Sequence, residues 1–267
     1  MEFLLECIGF PPDLDRDALV HRVRTGGEAV AWRGDPENHK RLPLGGGLEL
    51  RLDREPGQDF WTLLPYFRVP HRLRVGVSSL RNVEDSPFDA LLTGWACPPS
   101  PLEPEPAWGS DAPGAYQLTT WLTDARRLPR RLPPGHVLAV SVAGFALHVE
   151  YVGPNSGVRD VTILERPRGA SIVPLGGHEN PGGCMDVSLR IREIRHLRNP
   201  LSGEAVDVLS TDAPGRPHLL FVSPWQLRTD GLPAPRPGWR IEGHFLFTGV
   251  IAGGLPGPRR GAPHSFG

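Results

Sequence analysis

The residues best spaced for metal chemistry are His148 and Glu150. Two positions apart on an extended strand, their side chains point the same way, and imidazole with carboxylate is a donor set for a borderline divalent ion. Glu49 or Glu6 would have to complete the site from another element. The same spacing also arises from plain alternation with Phe145, Leu147 and Val149, the solvated side of a half-buried strand. A second set is Arg190 and Arg192 with Trp225 and Trp239. Guanidinium groups fork onto anions and indoles stack on planar ligands, so these four are the candidate ligand-binding residues.

Other chemistries lose their main support. There is no G-x-x-x-x-G-K-[ST] loop, no G-x-G-x-x-G, no G-x-S-x-G and no H-E-x-x-H, so no cofactor and no catalytic residue set is expected. His178 and Glu179 are followed by Asn180-Pro181, which blocks the helix that would aim two histidines at one ion. Asp13, Asp15 and Asp17 open like a calcium loop, but Ala18 stands where Gly is needed and no Glu follows at the twelfth position. They are expected to cap a helix instead. Cys7, Cys97 and Cys184 show no zinc spacing and are expected to be buried free thiols of a reduced compartment.

The elements that must position these residues are short. The 267 residues include 32 Gly and 31 Pro, about twice the usual share, and both break helices. A mainly β protein is predicted, with an α+β N-terminal unit holding one clear helix. That helix is expected over 14–24, where Leu14, Ala18, Leu19 and Val23 recur at helical spacing, after a strand in the first ten residues. Strands are expected at 28–33, 47–54, 60–69, 72–80, 116–123 and 137–152. In the third β segment Leu48, Leu50 and Leu52 alternate with Glu49, Arg51 and Asp53, the pattern of a sheet with one wet face. The apolar run Val137–Val149 is expected to be a buried strand pair, too short and polar to span a bilayer. The turn between 123 and 137 carries Arg126, Arg127, Arg130 and Arg131, which are expected to be solvated.

Two domains are expected, 1–170 and 183–252, with a Pro-rich, acidic internal linker near 97–114 and a disordered tail over 253–267. In the second, segments at 186–195, 205–210, 218–222 and 240–251 are separated by the turn signals Asn199-Pro200-Leu201-Ser202-Gly203 and Ala213-Pro214-Gly215. That succession over 183–252 resembles an oligonucleotide/oligosaccharide-binding (OB) barrel, which implies a C-terminal OB-like β-barrel. Phe245 and Phe247 share a face with Ile241 and Ile251 and are expected in its core. In the first half, RLPLGGGLELRLDRE from Arg41 and RLPPGHVLAVSVAGFALHVEYV from Arg131 share R-L-P and a later alternating strand. The two copies resemble a vicinal-oxygen-chelate repeat, which implies a pseudo-symmetric cup with ligands from both copies. No paired His or Glu set accompanies them.

The net charge of −1 provides no field for nucleic acid or an anionic membrane, and neither is an expected partner. The start MEFLLECIGF has no basic leader, so a cytoplasmic protein is expected. Taken together, the residues predict a non-catalytic binding or assembly module for an unidentified protein or small molecule. Its edge strands predict a homodimer. The alternatives are a metal or small-molecule site of vicinal-oxygen-chelate type, and single-stranded nucleic-acid binding by the barrel.

Overall fold

The computed structural model describes residues 3–30, 37–54, 57–83, 86–98, 115–129, 132–133, 135–153, 170–176 and 183–255. The His178–Glu179 loop, the segment 99–114, Arg130, Arg131 and the tail from 256 lie outside them. The protein is mainly β, as its punctuation by Gly and Pro predicts. Helices α1 (Phe3–Cys7) and α2 (Arg16–Gly26) precede strands β1 (Glu28–Ala29), β2 (His39–Gly45), β3 (Leu48–Asp53) and β4 (Thr62–Phe67). These four strands form one antiparallel sheet in the order β1-β2-β3-β4.

The first ten residues differ from the strand expected of them. Phe3-Leu4-Leu5-Glu6-Cys7 coils into a short helix that buries Leu4, Leu5 and Cys7, and Ile8 follows into the same core. A short apolar run fits a buried helical turn as well as a strand, and packing decides. In α2 the capping residue is Asp15, whose carboxylate accepts the Ala18 N–H at 3.0 Å.

The larger sheet comprises β5 (Leu73–Val83), β6 (Ser86–Ala96), β7 (Tyr116–Leu122), β8 (Val137–Val152), β9 (Ser171–Pro174), β10 (Cys184–Arg198), β11 (Ala205–Thr211), β12 (His218–Phe221) and β13 (Arg240–Gly253). The apolar run expected to be a strand pair is one strand, β8, 16 residues long. It pairs antiparallel with β13 from Ala139 to Val152, and each of the two has other neighbours on both halves. The first half of β8 pairs with β5, and the chain of pairings continues through β6 and β7 back to the end of β13. Further along, β8 pairs with β12, and β11 and β10 lead back to the start of β13. The pairings therefore close two five-stranded rings that share one ribbon. Residues 184–253 supply four strands of the second ring, and β8 is the fifth.

One apolar core fills the rings, with Val140, Leu189, Leu220, Phe245 and Phe247 among its fully buried members. A second core joins the small sheet and both helices to the outside of the ribbon. Its centre is aromatic: Phe221 lies 4.8 Å from Phe67 and 5.2 Å from Phe145 between ring centroids. Each such side chain contributes about 1.5–3 kcal/mol through burial, so this trio fixes the small sheet on the ribbon.

Close approach at the ribbon rests on glycine. A Cβ on Gly144 would stand 2.5 Å from the Phe247 ring and 2.6 Å from Leu220, both fully buried. Gly144→Ala is expected to lower unfolding stability by about 1–3 kcal/mol through overpacking. Urea titration checks this, and an unchanged midpoint would contradict the packing described.

Candidate functional site

The wet face expected on β3 is buried. Glu49, Arg51 and Asp53 are each under 10% exposed, as are the alternating leucines, and the turn after β7 reaches the polar side through Thr123. A buried charge must be paired and hydrogen-bonded, and these are. Arg51 donates to Glu49 at 3.0 Å and to the Thr123 hydroxyl at 3.3 Å, and its guanidinium lies 3.9 Å from the Tyr66 ring centroid. Burial raises the Tyr66 phenol to about 12. Arg41 and Arg68 approach the other Glu49 oxygen at 3.8 Å, and His39 Nδ1 lies 2.9 Å from Asp53 Oδ1. Nearby, Asp124 accepts the Ile251 N–H and an Arg127 N–H, and burial raises its carboxyl. Each charge is engaged by a neighbour. This seam joins two sheets, and the alternation alone could not show that a second layer covers it.

The metal pair stands on the surface. His148 and Glu150 are 3.9 Å apart on β8 with side chains 60% and 68% exposed. Opposite them on β13 stand His244 and Glu242, the two imidazole centroids being 6.3 Å apart. Among the described residues no three His, Cys, Asp or Glu side chains are grouped to hold a metal ion. Glu49 belongs to the seam, and Glu6 on α1 accepts from Ser223 at 3.4 Å.

The four ligand-binding candidates occupy separate places. Arg192 pairs with Asp212 at 3.1 Å on the surface, and Arg190 stands opposite Arg240 on β13. Trp239 packs on Gly153 and the ring core with Arg236 over its face. Trp225 lies on α3 (Pro224–Thr229), under Arg228. The side chain of Gln226 ties this helix to the Leu147 carbonyl, six residues from Gly153, a separation of about 20 Å along β8. The two indoles therefore do not face one ligand. Phe245 and Phe247 are in the core as expected.

The cysteines are free, and burial raises all three thiols, Cys7 to about 12. A raised pKa keeps a thiol protonated and unreactive. Cys97 has a left-handed backbone (φ 50°), and its sulfur fills the space a side chain on Gly215 would need. The adjoining buried pair is Tyr116 and His218, with Tyr116 Oη 2.6 Å from His218 Nε2. Burial raises the phenol and lowers the imidazole to about 4, so the ring is neutral and accepts the phenolic proton.

Among the described residues, a cavity large enough to hold a ligand lies elsewhere, along α2. It is an open groove of about 400 Å³, within the size range of small-molecule sites. One wall is the face of α2 carrying Ala18 and Arg22, with Leu14 just before the helix; the buried Leu19 also lines it, and Val23 lies in the core. The other wall is the β10–β11 turn, through Leu201, Ser202 and Glu204, and Phe10 and Pro11 form the floor. Asn199 fixes the turn wall to the segment that leads into the floor. Fully buried, it donates to the Ile8 carbonyl at 2.9 Å and accepts the Leu201 N–H at 2.9 Å. Gly9 (φ 87°) lets the chain pass, since a Cβ there would meet Val206 at 2.9 Å. The sequence shows the turn at Asn199 and the helix stripe. Of the residues at helical spacing, Leu14 and Ala18 line the groove.

His218 sets an acid limit on stability. Its folded pKa of about 4 lies below the ordinary 6.5, so its contribution is full above pH 6.5 and is lost as the pH falls toward 4. Between pH 7 and pH 5 the wild type should lose about 2 kcal/mol more than His218→Gln, by urea titration at both pH values. Equal losses would contradict a buried neutral imidazole. No protein-family model, curated protein or solved structure matches this chain.

Proposed function

We propose that this protein is a non-catalytic binding module whose ligand lies in the groove along α2. The observation that carries the reading is the groove itself. It has apolar residues on both walls and the floor, a volume of about 400 Å³, and a turn wall held to the floor segment by the buried Asn199 amide. Apolar surface left uncovered on a fixed frame is available to a ligand without the ordering cost of a mobile loop. No helix among the described residues is long and apolar enough to cross a membrane.

Fluorescence of the neutral probe N-phenyl-1-naphthylamine tests the reading. It should bind the wild type saturably at one site. Ala18→Trp places a large side chain where the groove is open, and should weaken the probe at least tenfold with the circular dichroism spectrum unchanged. A probe that does not bind, or that binds the variant equally, would overturn the assignment.

A further inference from the structure

The charges around the groove are not equivalent. The Asp15 carboxylate is occupied by the Ala18 N–H as the helix cap. Glu204 lies 4.0 Å from Arg228. The Arg22 guanidinium is exposed on the groove wall and makes no ion pair or hydrogen bond among the described residues. Seven residues at 1.5 Å rise place it about 10 Å along α2 from Asp15. The groove is thus apolar in the stretch past Leu14 and Ala18 and ends at one uncompensated guanidinium. We propose that its ligand is an unattached amphipathic monoanion. An acyl or aryl body lies over Leu14, Ala18 and Leu201, and a carboxylate or similar head pairs with Arg22.

Complementarity of charge and polarity carries this. A neutral apolar ligand would leave Arg22 as it is. A cation at that end would meet it with like charge. A carboxylate makes two parallel N–H···O bonds with the guanidinium fork, stronger than neutral hydrogen bonds. This inference rests on the groove being the binding site, and the test separates the two.

Decanoate, decan-1-ol and decyltrimethylammonium are compared as competitors of N-phenyl-1-naphthylamine on the full chain at low salt. Decanoate should displace the probe at a concentration at least fivefold below decan-1-ol, with the ammonium weakest. Arg22→Gln should remove that preference with the circular dichroism spectrum unchanged. Equal competition by acid and alcohol, or a preference that survives Arg22→Gln, would overturn the anionic head while leaving the groove reading intact. Tighter binding of the peptide acetyl-Leu-Ala-Leu-Ala than of decanoate would overturn the small-acid ligand in favour of a peptide carboxylate. A probe that binds nowhere would overturn both.

Discussion

The antiparallel pairing of β8 with β13 is the contact on which the other parts of this fold depend. Strands elsewhere in the rings have ordinary neighbours, but these two each serve both rings, and the pairing runs from Ala139 to Val152 with irregularities at Leu147 and Ala252. Sharing a wall removes edges, since a strand in a closed ring has both sides hydrogen-bonded. It also demands that the two strands and their flanking layers come unusually close. Gly144 beneath Phe247 and Leu220, and Gly249 against Val140 and Thr120, meet that demand where a Cβ would not fit without a shift.

The proposed binding groove is a consequence of the same ribbon. Its turn wall is the β10–β11 hairpin, part of the second ring, and its floor follows α1. Helix α1 in turn lies on β8, where the Cys7 thiol donates to the Ala146 carbonyl at 3.7 Å. The Asn199 amide then joins hairpin to helix segment. The small sheet is attached by two unlike layers, the aromatic trio on one side and the Glu49–Arg51–Thr123 seam on the other. Burying a paired charge contributes little net stability, whereas removing one partner is costly, so the seam acts mainly to select the docking geometry.

Much of the strand inventory was legible because alternation and turn chemistry are local. The segments at Leu48–Asp53, Ala205–Thr211 and Arg240–Gly253 follow from period two bounded by Gly, Pro and Asn. What alternation cannot show is how many layers cover a strand. Glu49 and Arg51 therefore looked solvated although both are buried. Nor can it show that Val137–Val152 is a single strand serving two rings, because that depends on partners up to about a hundred residues away. The candidate site was legible only in pieces: the helix stripe and the Asn199 turn were visible, but their meeting through the Ile8 carbonyl is a tertiary fact.

Native-state hydrogen exchange tests the shared ribbon most directly. If β8 and β13 are the common wall, their paired amides exchange only through global opening, and β5–β7 lose protection in the same step as β10–β12. Opening of β10–β12 together with residues 143–152 of β8, at a free energy well below that of β5–β7, would show that the rings stand independently and would contradict the account.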